Sequence, residues 1–339
     1  MMDIVSLLGR IAAGQDLTMP EMADAVDSIM RGEWDESQIA LLLTSLRTKG
    51  ETVPEIAGAA LAMRRHMTRI PTSRTGLLDT CGTGGDASGT FNISTAAAIV
   101  TASAGVPVAK HGNRSITSKT GSADVLQSLG VNIEASLDQC AASLDEIGIC
   151  FCFAPLMHQS MKHVGPVRKK LGVPTIFNML GPLCNPAEAE FQLLGVGKPE
   201  LRPKLAEALV LLKTKRAIVV CGEDGLDEVT LCGTTWATDT TSDGTSEFTW
   251  TPADFGLPAV PNKNEMQVET AEESAAIIRG ILDGKRNSCR DIVVLNSAAA
   301  LWTAGAATST VACAERAAEA LDSGLAKKTL EDLIKMSHA

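Results

Sequence analysis

The sequence predicts an α/β protein: a small all-helical domain joined to a large α/β domain whose mostly parallel central sheet is flanked by helices. Three observations predict it. The first seventy or so residues carry only helical periods. From Leu77 onward short β-rich runs alternate with helical stretches, the pattern of a parallel sheet covered by helices. The 339 residues, 45% of them hydrophobic, provide enough chain and enough apolar material for about two such domains.

In the helical part Ile4, Leu7, Leu8 and Ile11 follow the 3.6-residue period. Thr18-Met19-Pro20-Glu21 is a capping box with proline in the first turn, and Met22, Ala25, Ile29 and Met30 continue it as an apolar stripe. Asp35 to Gln38 opens a third helix carrying Ile39, Leu42, Leu43 and Leu46, which Gly50 ends. Thr52-Val53-Pro54-Glu55 repeats the box ahead of Ile56, Ala59, Ala60 and Met63. In the second part strands are predicted at 106–109, 149–153, 191–196, 217–221 and 291–295, with helices at 201–212 and 271–282 between them. The threonine-rich stretch 232–251, with Asp243-Gly244 at its turn, reads as a β-hairpin on the sheet edge. The three prolines of 252–265 mark a loop, and 311–334 is again helical.

A net charge of −10 and a pI near 5.1 argue against a general binder of nucleic acid or acidic membranes, while leaving room for an anion held by a local basic cluster. The chain has no tyrosine and only 3% aromatic residues, little material for stacking bases. Nine cysteines at irregular spacing, none with zinc-ribbon spacing, fit reduced thiols. With no bilayer-length apolar run and no signal-peptide layout, the expected location is the cytoplasm.

Four constellations carry candidate chemistry. The first is Asp79 to Thr95, where Gly82, Gly84, Gly85 and Gly89 lie between a short apolar lead and an alanine-rich helix with Ser94-Thr95 near its start. Such a stretch is either a bare strand-to-helix turn or an anion cradle built on backbone N–H groups. It is not a P-loop, since no Lys-hydroxyl pair follows its last glycine, and no acid in 95–110 completes a dinucleotide fingerprint. The second, Lys110 to Asp124, interleaves three cations and a histidine with hydroxyls and two glycines. Two such loops after two parallel strands converge at the carboxyl edge of the sheet, where α/β proteins bind ligands. The third, His158 to Asn185, adds cations around Arg168 and a structured turn at 177–186. The fourth, Gly222 to Glu228, places adjacent acids after a strand, oxygen ligands suited to Mg²⁺ beside substrate phosphates.

Taken together and in order, GTGGD…TFNIST, KHGNR…S…GSAD, PVRxxLGxxTIFNxLGPLxNP and GLDE resemble the anthranilate phosphoribosyltransferase family, and the resemblance covers nearly the whole chain. It implies a helical domain of residues 1–73, joined by a segment near 168–188, an α/β domain of 74–339, and a homodimer formed through the helical domains. It implies a phosphoribosyl pyrophosphate site of Gly82, Gly85, Asp86, Thr90, Asn92, Ile93, Ser94 and Thr95. The second loop would complete that site with Lys110, His111, Gly112, Asn113, Arg114, Ser115, Ile116, Thr117, Ser118 and Ser122. Asn113 and Arg168 would orient anthranilate, with Gly82 close by. Asp227 and Glu228, with Ser94, would hold Mg²⁺. Two departures stand out. Ala87 occupies a position where the family typically has glycine, and Ser115-Ile116-Thr117 replaces a small, apolar, hydroxyl run.

The implied reaction breaks the ribose C1–pyrophosphate bond, a charge separation that Mg²⁺ and preorganised donors favour. An arginine's planar fork matches a carboxylate, so Arg168 has the shape to grip anthranilate. No residue is assigned as general base. His111, the nearby imidazole, can serve packing or positioning as well as proton transfer. Two rival functions remain: a pyrimidine nucleoside phosphorylase-like enzyme, which would need no Asp227-Glu228 metal pair, and a non-catalytic relative that binds nucleic acid, against which the acidic balance argues.

Overall fold

The computed structural model describes residues 4–114 and 121–339. Four helices open the chain, Ile4–Ala12, Met19–Met30, Glu36–Lys49 and Val53–His66. Thr18 caps the second through a reciprocal box with Glu21, and Asp35 does the same for the third with Gln38. Glu55 has moved beyond capping. Fully buried, it accepts from Thr52 N–H at 2.8 Å, Leu17 N–H at 3.0 Å and Lys49 Nζ at 2.9 Å, so its charge is paired and its oxygens bonded.

The second part is built on a seven-stranded sheet: β1 Leu78–Gly82, β2 Val108–Gly112, β3 Ile149–Phe153, β4 Phe191–Gly195, β5 Arg216–Gly222, β6 Thr235–Thr241 and β7 Gly244–Trp250. The order is β3-β2-β1-β4-β5-β6-β7. The first five are parallel, and β6 and β7 form the expected antiparallel hairpin at the edge. Along β5 the pleat divides the core. Ile218 and Val220 join the cluster formed with helices Ile93–Ser103 and Ser288–Thr303, while Ala217, Val219 and Cys221 face the cluster that contains the four N-terminal helices. That second cluster also takes in Val164, Val167, Ile176, Phe177, Leu180 and Leu183. The segment around 164–183 therefore packs with the helical part although it lies between two strands of the sheet.

One local expectation is corrected. The run 291–295 is not a strand but the middle of helix Ser288–Thr303, in which 13 of 16 residues are buried. A helix buried on nearly every side shows no polar face, so its apolar run mimics a buried strand. Helix Ile93–Ser103 starts before Ser94-Thr95 and is capped by Asn92, whose Oδ1 accepts from Thr95 N–H at 3.1 Å. The proline-bearing loop 252–265 holds two short 3₁₀ turns, Pro252–Phe255 and Asn264–Met266.

Candidate active site

After β1 the chain turns one way to β2, and β4 later pairs with the other edge of β1, so the strand order switches at the β1–β4 boundary. Ligands of open α/β sheets bind at such a point, outside the carboxyl ends of the strands. A cleft of about 650 Å³ opens there, lined by the loops after β1, β2, β3 and β5, by the segment 158–182 and by Met63 of the helical part.

Glycine is required at the base of the cleft. Gly82 and Gly195 end β1 and β4 side by side, with Thr83 N–H bonded to Gly195 O at 2.9 Å. A methyl group on Gly195 would sit 1.6 Å from Asp227 O, and one on Gly82 would sit 2.4 Å from Asp227 Oδ2. The loop after β5 can cross these strand ends only because neither has a side chain. Further along, Ala87 adopts φ +55°, the left-handed region in which an L-residue with a Cβ is strained. The loop is fastened nonetheless: Val268 N–H donates to Gly89 O, Phe91 N–H to Met266 O, and Asn92 N–H to Ser274 Oγ.

The acids gather at the β5 end. Asp227 Oδ2 accepts from Gly84 N–H at 3.1 Å, and burial followed by the Asp86 carboxylate raises Asp227 to about 7. Burial, followed by the Asp227 charge, pushes Glu228 up too. Asp86 Oδ1 accepts from Ser88 N–H, whereas its Oδ2 is buried with no partner among the described residues. The backbone beside the pair is clamped by Asn296, fully buried on helix Ser288–Thr303: Val229 N–H donates to its Oδ1 at 2.9 Å, and its Nδ2 donates to Val229 O at 2.9 Å. Such a cluster of carboxylates, raised by burial and by one another's charge and with an unsatisfied oxygen, suits a bound cation. Among the described residues no three His, Cys, Asp or Glu side chains form a metal cage.

Cations line the other walls. Lys110 is buried in the middle of β2, its Nζ donating to Thr80 O at 2.6 Å and to Ser94 Oγ at 3.1 Å. Burial lowers its pKa against the pull of Asp79. Asp79, also buried, accepts from His111 N–H and Asn185 Nδ2. His111 Nδ1 donates to Gly181 O at 3.0 Å, because a carbonyl can only accept, and its Nε2 lies 3.2 Å from His158 Nε2. Burial holds both rings neutral, His111 down to about 3 and His158 to about 4. Arg168, on helix Gly165–Leu171, is half-buried; its Nη2 donates to Asn178 Oδ1 at 3.3 Å, and its guanidinium lies 5.8 Å from the Phe177 ring centre. It has no carboxylate partner among the described residues, and burial lowers its pKa.

The sequence-predicted residues Gly82, Gly85, Asp86, Thr90, Asn92, Ile93, Ser94, Lys110, His111, Gly112, Asn113, Arg114, Ser122, Arg168, Asp227 and Glu228 all line this one cleft. Thr95 does not: it is fully buried, and its hydroxyl has no partner among the described residues. Arg114 lies at the cleft with its guanidinium on Asp124 at 2.7 Å and on Gln127 at 3.1 Å. Ser115, Ile116, Thr117 and Ser118 lie outside the described residues. Sequence reading singled out neither Met63 nor Asn296. Met63 looked like one more core position in a helical stripe, and Asn296 sat beyond a segment read as a strand.

Residues 5–67 match the helical bundle domain of the glycosyl transferase family, and residues 74–327 match the a/b domain of that family. Fold and cleft together thus define a two-part glycosyl transferase. Anthranilate phosphoribosyltransferase of Rhodopirellula baltica is 51% identical over 94% of this chain and 93% of its own, and that of Rhodospirillum rubrum is 49% identical over 98% and 95%. The crystal structure of anthranilate phosphoribosyltransferase from Thermus thermophilus, 39% identical, superposes with a TM-score of 0.92 over the full length of both chains. The Saccharomyces cerevisiae enzyme in complex with PRPP and Mg, 29% identical, gives 0.90 over 99% of this chain and 98% of its own. The chain belongs to the anthranilate phosphoribosyltransferase family.

Proposed function

We propose that the cleft transfers the phosphoribosyl group of 5-phosphoribosyl 1-pyrophosphate to the amine of anthranilate, giving N-(5-phosphoribosyl)anthranilate and pyrophosphate, in tryptophan biosynthesis. The observation that carries this reading is the polarity of one continuous cleft: clustered carboxylates at the β5 end, a glycine-rich loop and Lys110 beside them, and on the helical side an arginine with no carboxylate partner among the described residues. The relatives named above support it.

On this reading the donor's phosphates and ribose lie along Gly82, Gly85, Asp86, Thr90 and Asn92 to Ser94, with Lys110 to Arg114 and Ser122 on the facing wall. The buried Thr95 contributes by fixing the helix start. Asp227 and Glu228, with Ser94 nearby, are suited to Mg²⁺, which when bound would offset the negative charge growing on the departing pyrophosphate. Lys110 supplies a fixed ammonium for the same charge without reorganising during the reaction. Arg168 grips the acceptor's carboxylate and Asn113 orients it, so the amine meets C1 in line with the leaving group. His111, held neutral and tied to Gly181 O and His158, packs and positions rather than carrying charge.

Pyrophosphate release from the donor is expected only when anthranilate and Mg²⁺ are both present; turnover in the absence of either would sink the reading.

The small domain proposed comprises residues 1–73 with a segment near 168–188, set against an α/β domain of 74–339; the mixed cluster of N-terminal helices with Val164 to Leu183 supports it. We infer a homodimer through the helical domains, supported by the exposure of Val5, Leu41 and Val173, all on that part. Sedimentation equilibrium should return twice the 35.5 kDa chain mass, and a monomer at micromolar concentration would refute it. Nine free cysteines support a reducing, cytoplasmic location, and no helix among the described residues is long and apolar enough to cross a membrane. Fractionation of expressing cells tests this.

A further inference from the structure

A second recess, of about 180 Å³, opens beside the residues that lead into β4 and β5. Into it faces Arg64, in the last turn of helix Val53–His66. Its Nε donates to Leu183 O at 2.7 Å and its Nη1 reaches Leu212 O at 3.5 Å, while no carboxylate pairs with it among the described residues. The recess also holds two acids and two lysines, but they do not cancel evenly. Glu190 is held by Lys215 at 2.8 Å and by the Gly76 N–H, and Glu188 is held by Arg69 at 3.2 Å. Arg64 and Lys213 are left without an ion-pair partner among the described residues. Burial lowers the Arg64 pKa, opposed by the Cys184 thiol and the Glu188 carboxylate. A guanidinium taken from water without a counter-charge is costly, so an anion entering the recess would be favoured there.

The recess shares a wall with the cleft. Pro182 lines both, and three successive carbonyls join them: Gly181 O accepts from His111 in the cleft, Pro182 O from Gln192 at 2.6 Å, and Leu183 O from Arg64. Met63, next to Arg64 in the same helix, lines the cleft. The volume is about that of six water molecules in the liquid, enough for a tetrahedral oxyanion or a small dicarboxylate and not for a nucleotide.

We propose that this recess binds a small oxyanion, phosphate or carboxylate, gripped by Arg64 of the helical part and Lys213 of the α/β part. Its occupant ties the two parts together behind the cleft, at the wall the cleft shares.

Calorimetric titration of inorganic phosphate, and separately of malonate, into the full chain without donor or Mg²⁺ tests the site and separates the two sources. One of the two ligands should bind saturably, and that binding should weaken by about tenfold or more in Arg64→Gln and in Lys213→Gly, given what a charge-assisted hydrogen bond contributes. Lys213 stands at φ +57°, so Lys213→Gly relieves a left-handed position and its loss of binding does not report unfolding. Binding should persist in Arg168→Ala, whose change is confined to the cleft. Absence of saturable binding by either anion, binding unchanged in Lys213→Gly, or binding abolished only by Arg168→Ala would overturn the proposal. Phosphate held at the donor site of the cleft would instead give binding that neither Arg64→Gln nor Lys213→Gly weakens, so the failure of this proposal and that of the cleft reading are distinguishable.

Discussion

Ala87 joins an unusual residue choice to an unusual backbone. Its φ of +55° is a conformation glycine adopts freely and alanine does not, and it lies in the loop that closes over the acids. Ala87→Gly should therefore raise the urea midpoint, by up to about 1 kcal/mol of stability, since relief of strain exceeds the extra chain entropy glycine brings; a lower midpoint would show that the loop is not strained. Arg168→Ala should weaken anthranilate binding far more than donor binding, because the guanidinium faces the cleft with no carboxylate partner among the described residues. Equal losses for both substrates would refute its role. The histidine pair sets a pH dependence. With pKa values near 3 and 4 in the fold, against about 6.5 in the unfolded chain, His111 and His158 leave the unfolded state alone to take up protons between pH 6.5 and 4. Stability attributable to them is thus complete above pH 6.5 and is lost as pH falls through that window. In His158→Gln the drop in urea midpoint between pH 7 and pH 5 should shrink, and an unchanged drop would count against this account.

At the scale of elements, the capping boxes at Thr18 and Asp35 and the hairpin 232–251 were legible because each is a local code: a side chain bonding backbone three residues on, or a tight turn between alternating strands. Helix Ser288–Thr303 was not. Its burial comes from the sheet on one side and helices on others, and periodicity is silent when every face is apolar. That helix carries Asn296, whose two hydrogen bonds to the Val229 backbone fix the chain next to Asp227 and Glu228. Asn296→Ala leaves two buried backbone groups unpaired and should cost about 2–4 kcal/mol of stability. It should also raise the Mg²⁺ concentration needed for half-maximal activity at temperatures where circular dichroism shows an intact fold. An unaltered Mg²⁺ dependence would mean that the clamp serves stability alone.

At the scale of the whole molecule, the site exists because chain segments distant in sequence meet at one strand-order switch. Gly82 and Gly195 lie 113 positions apart, yet they pair in register and leave the space through which Asp227 reaches the glycine-rich loop. The helical part and the segment around 164–183 share one core, which brings Arg168 to the same cleft as Lys110. The sequence by itself determined the helical and α/β parts, the glycine-rich and basic loops, the acid pair and the arginine, because turn chemistry, capping and charge type are written in neighbouring residues. It took the folded chain to settle that Gly195 must lack a side chain, that Thr95 faces the core, that Asn296 holds the acid loop, and that Arg64 has no carboxylate partner among the described residues. Each of those depends on which surfaces face one another across the fold, and close packing sets that only after the chain has folded.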